Sequence, residues 1–306
     1  MVWKIKNKLV WIWNKIIDYI IIFYKRTFIM YDFFYKRFAL KPQVMSVDET
    51  LNLIIDNKLS VCRYGDGEFK LIQGRDISFQ SYSDDLKERL RKILMVNDSG
   101  FLVCIPDIFK KLDLYIDEPS EYWKLHVSKY RSKWNQILNS DCIYGNAFIS
   151  RCYYQYKRKL NCEYYFDLFK KIWNDREVII IEGKKSRLGI GNDLFDNTKQ
   201  INRILAPEIN AFSEYERILE SAKRQEKDKL ILLALGPTAT VLAYDLYLEG
   251  YQVIDIGHID VEYEWFLKGA VSKMPIENKF VCEAGFGNGV GACLDEKYLK
   301  QIIIDI

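Results

Sequence analysis

Continuous apolar runs alternate with helical segments along most of this 306-residue chain, and this alternation restricts its fold more than any other feature. A strand that is apolar throughout is typical of a parallel sheet covered by helices on both faces. The sequence therefore predicts an α/β fold with a mostly parallel sheet and helices on both faces. The predicted strands are residues 59–62, 101–105, 141–149, 178–181, 230–235 and 253–256.

Capping signals predict where two of the helices begin. Ser46 and Glu49 precede the apolar residues of one helix, and Ser213 and Glu216 precede those of another. In such a capping box each side chain bonds the other residue's backbone N–H. Further helices are predicted at residues 84–96, 121–138 and 163–173, and from the turn at 236–240 to Gly250.

Polar or glycine-rich segments follow four of the predicted strands. They are residues 63–68, 182–193, 236–240 and 257–264. In an open parallel sheet the ligand lies beyond the carboxyl ends of the strands. We therefore expect these four segments to converge on one site.

The first of these segments alternates two glycines with two carboxylates, Asp66 and Glu68. In an extended chain these residues share one side, because they lie two apart. Two hard oxygen ligands suit Mn²⁺ or Mg²⁺, and such an ion can hold a diphosphate. The alternative is a surface turn that uses Gly and Asp for ordinary conformational reasons.

The second and third segments have the chemistry of an anion site. Residues 182–193 combine three basic side chains with three glycines, and residues 236–240 place Pro at the start of a helix with two Thr hydroxyls nearby. Cations, free N–H groups and helix N-termini all attract phosphate. The alternatives are a solvated basic loop and an ordinary strand-to-helix turn.

His258 and Asp260 follow the predicted strand at 253–256 in a chain that has two histidines. A histidine near a carboxylate can ligate metal, act as a base or bind a sugar hydroxyl. A structural histidine is the alternative, and the position at a strand end favours a functional one.

Charge and cysteine content exclude several classes of protein. Residues 1–45 hold nine Lys/Arg and two Asp, a net charge of +7, and the remainder is mildly acidic at −4. A nucleic-acid binder would carry its basic charge on the folded face, so we expect no nucleic-acid partner. The seven cysteines form no C-x-x-C pair, which argues against a zinc site or a disulfide framework and for reduced thiols in the cytoplasm.

The N-terminal segment, residues 1–45, is basic and amphipathic. Lys4, Lys8, Lys15, Asp18 and Lys25 fall close to one helical stripe, and Trp, Phe and Ile cover most of the rest. The longest uncharged run is far shorter than the ~20 residues of a spanning helix. Residues 1–40 are expected either to lie in the inner face of the cell membrane or to pack on the domain or in a dimer interface. Residues 46–306 are expected to form the main domain.

Four ordered motifs resemble the GT-D-type glycosyltransferase family. They are residues 63–68, residues 183–189 with 191–195, residues 235–246 and residues 255–265. The resemblance covers about residues 46–285 and leaves the N-terminal segment outside. It implies a Rossmann-like enzyme that moves a sugar, often glucose, from a UDP-sugar to a protein- or lipid-linked glycan of bacterial surface polymers.

The family's metal-linked Asp-x-Glu motif falls on Asp66 and Glu68, which we expect to hold Mn²⁺ or Mg²⁺. His258 and Asp260 are expected to act in catalysis at the sugar or acceptor. By their chemistry, eight further residues are assigned to nucleotide-sugar binding. These are Arg63, Gly65, Lys185, Arg187, Asn192, Gly236, Thr238 and Thr240.

Two other functions compete with a metal-assisted glycosyltransferase. A phosphoesterase would use the same carboxylates with a metal-bound water, and it would hydrolyse the donor without an acceptor. A non-catalytic subunit of a glycan assembly complex, anchored by its N-terminal helix, would tolerate the loss of Asp66.

Overall fold

The computed structural model describes residues 2–110, 112–285, 287 and 289–306, with side chains from residue 10 onward. The side chains of Lys4 and Lys8, part of the predicted basic stripe, therefore lie outside the described ones. Contacts divide the chain into two compact units. The N-terminal unit contains the described residues of 1–41 and 108–140, and the sheet unit contains those of 42–107 and 141–306.

The sheet unit is built on nine strands in the described part of the chain, in the order β1-β4-β3-β2-β8-β7-β5-β6-β9. Every neighbouring pair in this order is parallel, which confirms the predicted sheet. The strands are β1 (Gln43–Val44), β2 (Ser60–Arg63), β3 (Phe101–Ile105), β4 (Ile143–Asn146), β5 (Glu177–Gly183), β6 (Gln200–Ala206), β7 (Leu230–Ala234), β8 (Val253–Asp255) and β9 (Ile302–Asp305).

Strands β2 and β8 are neighbours at the seam between the two halves of the sheet. Val61 of β2 lies opposite Leu102 of β3 on one side and Ile254 of β8 on the other. Strands β2, β3, β4 and β1 lie on one side of this seam, in that order. Strands β8, β7, β5, β6 and β9 lie on the other side. A ligand site is expected at the carboxyl end of such a seam, where strand order changes direction.

Ten α-helices accompany the strands in the described residues, with short 3₁₀ segments at Ala147–Arg151 and Ala211–Glu214. Helix α8 packs on β2, β7 and β8, and so backs the seam. The helices are α1 (Val2–Tyr35), α2 (Val47–Asn57), α3 (Asp66–Ile72), α4 (Asp84–Leu94), α5 (Asp117–Asn135), α6 (Cys162–Trp173), α7 (Tyr215–Lys223), α8 (Pro237–Leu248), α9 (Ile259–Leu267) and α10 (Glu296–Gln301).

One of the two predicted capping boxes is confirmed and the other is wrong. Ser46 Oγ accepts the Glu49 N–H at 3.1 Å, and Glu49 Oε2 accepts the Ser46 N–H at 2.8 Å. Ser213 instead donates its hydroxyl to the Asn210 carbonyl, and α7 begins after a 3₁₀ turn without a side-chain cap. The 3₁₀ turn satisfies its own backbone locally, so the Ser213 side chain has no free helical N–H to cap.

In the N-terminal unit, α1 packs along α5. Asp32 of α1 and Arg131 of α5 form a two-pronged ion pair, with Nε–Oδ1 at 2.5 Å and Nη2–Oδ2 at 3.1 Å, and both side chains are about one-tenth exposed. Lys129 of α5 lies over the rings of Tyr24 and Phe28. No helix among the described residues is long and apolar enough to cross a membrane.

Strand β6 was not predicted, because its sequence mixes polar and apolar residues. The structure shows why it is stable. Arg203 of β6 is buried and pairs with the buried Glu182 of β5 at 2.5 Å, and its other guanidinium nitrogens donate to the Leu188 carbonyl and to Gln301 Oε1. The Tyr298 ring lies against the same guanidinium. The Arg203 guanidinium, each of whose nitrogens has a hydrogen-bond partner, therefore occupies a buried strand position that an apolar side chain would usually fill.

We expect Arg203→Met to lower the free energy of unfolding by about 3–5 kcal/mol, because it leaves the Glu182 carboxylate buried without its cation. The matched control is Lys199→Met, which breaks the exposed pair with Glu177 and should change stability little. Urea unfolding of both variants checks this. Equal losses would show that the buried pair does not stabilise the β5–β6 contact.

Candidate functional site at the seam of the sheet

Arg63, the last residue of β2, fastens the carboxyl end of the seam. Its Nη2 donates to Asp255 Oδ1 at 2.7 Å and its Nε to the Asp255 carbonyl at 2.8 Å, at the end of β8. Its Nη1 donates to Ser150 Oγ at 2.6 Å. We predicted that Arg63 binds the nucleotide sugar, but here its guanidinium holds β2, β8 and the 147–151 turn together.

Gly257 makes this arrangement possible. Its φ is +43°, and a Cβ at this position would lie 1.8 Å from Arg63 Nη2. A residue with a side chain would be strained there and would also displace the guanidinium. The chain can therefore pass over the Arg63–Asp255 pair and start α9 directly after β8.

Asp66 and Glu68 lie in the first turn of α3, with Gly65 as its N-cap, and not in an extended segment. The prediction that they share one side is wrong in this respect, because residues two apart in a helix are turned by about 200°. Glu68 Oε2 accepts the Gly65 N–H at 2.6 Å, so this side chain caps the helix. Lys70 donates to Asp66 Oδ2 at 2.6 Å, and both side chains remain about one-third exposed.

The capping position also changes the acidity of Glu68. Burial raises the pKa of Glu68 from 4.5 to about 7, although the N–H groups of Glu68 and Gly65 oppose this shift. The charges of Asp255 and Asp66 contribute in the same direction as burial. Near neutral pH this carboxyl is therefore divided between its protonated and ionised forms.

The donor chemistry of α3 fits a divalent cation through Asp66 first. Its carboxylate is about one-third exposed and accepts a hydrogen bond from the similarly exposed Lys70. Glu68 would have to release the Gly65 N–H or bind through its other oxygen. No group of three or more His, Cys, Asp or Glu side chains among the described residues could hold a metal ion.

Arg151, His258 and Glu283 form a second, partly exposed cluster at the same edge. Arg151 Nη2 donates to Glu283 Oε1 at 2.5 Å and lies 3.3 Å from His258 Nε2. His258 Nε2 is 2.9 Å from Glu283 Oε2. Each side chain is between 23% and 29% exposed, so a ligand can reach all three.

Electrostatics connect this cluster to α3. Burial opposes the charge of Arg151, but the carboxylates of Glu283, Glu262 and Asp66 raise the pKa of Arg151 above its usual value. Burial also opposes the charge of Glu283, and the neighbouring His258 and Arg151 nevertheless lower the pKa of Glu283 well below its usual range. This edge of the sheet thus presents an ionised carboxylate, a guanidinium and an imidazole close to Asp66.

Asp260 and Asn192 have structural partners and lie behind this cluster. Asp260 pairs with Lys279 at 2.7 Å, with both side chains buried, and it accepts hydrogen bonds from the Gly189 N–H and from Asn192 Nδ2. Asn192 also donates to Glu264 Oε1. The residues predicted for catalysis and sugar binding here instead join the loop after β5 to α9.

The predicted anion donors are also largely occupied. Arg187 is buried, with φ at +52°, and donates to the carbonyls of Asn278 and Gly291. Thr238 contacts Gln80 Oε1 at 3.3 Å, and Thr240 donates to the Arg63 carbonyl at 2.9 Å. Lys185 keeps an exposed ammonium group, paired with Glu208 at 2.8 Å.

Gly236 is required by the turn into α8. Its φ is +53°, and a Cβ there would lie 2.7 Å from the Phe79 ring. Pro237 follows at the first helical position, as the sequence predicted. The two Thr hydroxyls of this turn contact protein partners. An anion bound at this turn would therefore accept hydrogen bonds from backbone N–H groups instead.

Sequence reasoning missed Arg151 and Glu283. Arg151 lies in the 3₁₀ turn that follows β4, and Glu283 precedes a stretch with glycine at every second position from Gly285 to Gly291. That glycine pattern could have indicated a functional loop, but no strand directly precedes it in the sequence. Arg187 and the Lys185 carbonyl, which accepts the Phe280 N–H at 2.7 Å, hold this segment against the site.

A cavity of about 380 Å³ lies away from this cluster. It is bordered by the loop after β5, by β6 and by α10. The polar side chains that line it include Asn192, Arg203 and Tyr298, whose hydrogen bonds are made within the protein. Asp196 and Lys297, both more than half exposed, also line it.

The chain matches a family model described as "Glycosyltransferase GT-D fold" over residues 61–284. It is 39% identical over 264 residues to "Probable glycosyl transferase Gly" of Streptococcus gordonii, covering 86% of this chain and 39% of that protein. It is 38% identical over 265 residues to "Glycosyltransferase GlyD" of Streptococcus pneumoniae, covering 86% of this chain and 32% of that protein. The chain thus spans between about a third and two-fifths of the length of these relatives.

Solved structures share the fold of this chain over most of its length. One, reported as domain of unknown function 1792 with a distinct glycosyltransferase fold, gives a TM-score of 0.85 at 39% identity over 89% of this chain and 98% of that one. Another, reported as a new glycosyltransferase from Streptococcus sanguinis, gives 0.84 at 39% identity over 87% of this chain and all of that one.

Glu68 should make stability depend on pH. Because its pKa is raised from 4.5 to about 7 in the folded state, the folded protein binds a proton that the unfolded chain releases between these values. The free energy of unfolding should therefore fall as pH rises from about 5 to about 8, by at most about 3 kcal/mol, since Glu68 keeps some solvent exposure.

Glu68→Gln removes this titration and keeps an oxygen that accepts the Gly65 N–H. Urea unfolding of both proteins at the two pH values gives the comparison. The variant should gain stability relative to the natural protein at the higher pH. The same pH dependence in both proteins would show that Glu68 is not the group responsible.

Proposed function

Because the chain belongs to the GT-D glycosyltransferase family, we propose that it is a metal-assisted enzyme that moves glucose from a UDP-sugar to a glycan acceptor. The acceptor would be a protein- or lipid-linked glycan of a surface polysaccharide or glycoprotein. One observation carries the proposal: Arg151, His258 and Glu283 form an open cluster, electrostatically coupled to Asp66, where β2 and β8 end.

Arg151 is suited to the diphosphate of the departing UDP. Cleavage of the bond between the sugar and the diphosphate leaves an electron pair and negative charge on UDP. A guanidinium with several N–H donors stabilises such an anion in the transition state. Lys70, about one-third exposed beside Asp66, adds a second cation on the α3 side.

Asp66 is the residue that would hold the metal, with Glu68 joining it when its carboxyl is ionised and released from the cap. A bound Mn²⁺ or Mg²⁺ would neutralise charge on the diphosphate. The Asp66 carboxylate would exchange its contact with Lys70 for the cation, which leaves the Lys70 ammonium free to approach the phosphate oxygens.

His258 is suited to accept a proton from the acceptor. In the proposed reaction the acceptor hydroxyl oxygen bonds to the anomeric carbon, the bond to UDP breaks, and the hydroxyl proton passes to the imidazole. Imidazole is the most common general base in enzymes. The ionised Glu283, 2.9 Å from His258 Nε2, orients the ring.

Variants of the cluster test these roles in an assay of UDP release and glycan product with UDP-glucose, an acceptor extract and Mn²⁺. We expect Arg151→Gln to lower kcat/KM by about 10²-fold or more, and His258→Gln by about 10²–10⁴-fold. Asp66→Asn should abolish the metal-dependent part of the rate.

Arg217→Gln is the matched control, because Arg217 is an exposed arginine of the sheet unit paired with Glu214. It should retain full activity. Full activity in Asp66→Asn would refute the metal assignment, and donor hydrolysis that does not depend on acceptor would favour a phosphoesterase. Near-natural activity in both Arg151→Gln and His258→Gln would place the reaction elsewhere in the protein.

Binding of UDP and metal should be coupled, because each carries charge that the other neutralises. Titration calorimetry should show weaker UDP binding in chelator than in Mn²⁺. Mn²⁺ binding should weaken by the same factor when UDP is absent, since coupling is reciprocal. Asp66→Asn should remove most of the coupling, and equal UDP affinity with Mn²⁺ and with chelator would show that the metal does not contact the diphosphate.

A further inference from the structure

Helix α1 carries an apolar stripe that α5 does not cover. Its members are spaced three, four or seven residues apart, so they share one helical face. Several of them are mostly exposed, including Trp13 at 64%, Ile20 at 61% and Phe23 at 71%. The members are Trp13, Ile16, Ile20, Phe23, Met30 and Phe34.

The other two faces of α1 have different partners. Tyr24, Phe28 and Asp32, spaced four apart, face α5, where they meet Lys129 and Arg131. A third face carries Lys15, Lys25, Arg26 and Asp18, together with the exposed Trp11, Ile22 and Phe33. The apolar stripe therefore lies between a face that packs on protein and the face that holds the basic side chains.

An exposed row of large apolar side chains requires an occupant, because burying apolar surface is favourable at about 25 cal/mol per Å². The charge of α1 indicates which occupant. The helix sequence holds six Lys/Arg and two Asp, and one of these, Asp32, is already paired with Arg131. A second copy packed along the stripe would bring like charges together, whereas an anionic surface would neutralise them.

The aromatic residues point to the same partner. Trp11, Trp13, Tyr19 and Tyr31 are all more than half exposed on α1. Trp and Tyr are favoured at the membrane–water boundary, where an apolar ring and a polar atom are both satisfied. The helix does not qualify as a membrane span, which leaves the interfacial orientation.

We propose that α1 is a peripheral membrane-binding helix that lies in the interface of an anionic lipid bilayer. Its apolar stripe enters the acyl boundary, and Lys15, Lys25 and Arg26 contact anionic headgroups. Its contact with α5, including the buried Asp32–Arg131 pair, attaches the membrane-bound helix to the folded protein. This proposal does not depend on the chemistry proposed for the sheet unit.

Deletion of residues 1–40 is a poor test of this proposal, because it would leave Arg131 buried without Asp32. Point substitutions in the full chain are cleaner. The triple variant Ile16→Gln, Ile20→Gln, Phe23→Gln replaces stripe residues with a good helix former. The matched control makes the same number of changes at exposed apolar positions of the sheet unit: Leu160→Gln, Val271→Gln and Leu294→Gln.

Co-sedimentation with vesicles of phosphatidylglycerol and phosphatidylcholine, against pure phosphatidylcholine, gives the measurement. The full chain and the control should bind the anionic vesicles, and added salt should weaken binding. The stripe variant should lose at least about tenfold in partition coefficient. Circular dichroism and light scattering of all three proteins accompany the assay.

Three results would overturn the proposal. One is an absence of binding of the full chain to anionic vesicles at low salt. The other is a lipid-free dimer of the full chain that becomes monomeric in the stripe variant, which would assign the stripe to a second copy. Equal vesicle binding by the stripe variant and the control would also exclude this face as the membrane contact.

Discussion

The ion pair between Arg63 and Asp255 is the constraint on which the candidate site depends. It joins the ends of β2 and β8, the two strands at which the halves of the sheet meet. Burial raises the pKa of Asp255, and the charge of Arg63 opposes this shift. Gly257 follows because no side chain fits above the pair. The pair holds the ends of β2 and β8 together, and α3 and α9 begin soon after these two strands. Asp66 and His258 therefore lie at one edge of the sheet.

Buried charged side chains hold in place the backbone segments that carry the partly exposed residues of the site. Lys279 pairs with Asp260 and Glu264, and Arg187 holds two carbonyls of the segment between residues 278 and 291. That segment brings Glu283 to the edge of the sheet. The polar residues around the site thus divide into two groups: buried ones that fix backbone segments, and partly exposed ones that a ligand can reach. Among the described residues, the second group is the one that a ligand can contact directly.

The sequence predicted the parallel sheet and most of its helices because continuous apolar runs and capping residues act locally. It did not predict β6, since a buried Arg203 is stable there only through the distant Glu182. It indicated that Asp66 and His258 lie at one edge of the sheet, because strand ends converge in any parallel sheet. It did not distinguish polar residues that a ligand can reach from those that are paired within the protein. The local sequence does not show that Asp260 pairs with Lys279 or that Glu68 caps its own helix. Such pairings depend on the tertiary fold.

The most direct test of the central claim is a crystal structure of this chain with UDP and Mn²⁺. The account predicts that the diphosphate lies at the carboxyl end of the β2–β8 seam, with the cation on Asp66 and Arg151 donating to a phosphate oxygen. It also predicts that Asp260 and Arg187 keep their present protein partners. A nucleotide in the cavity beside α10, with Asp66 still paired to Lys70, would contradict it.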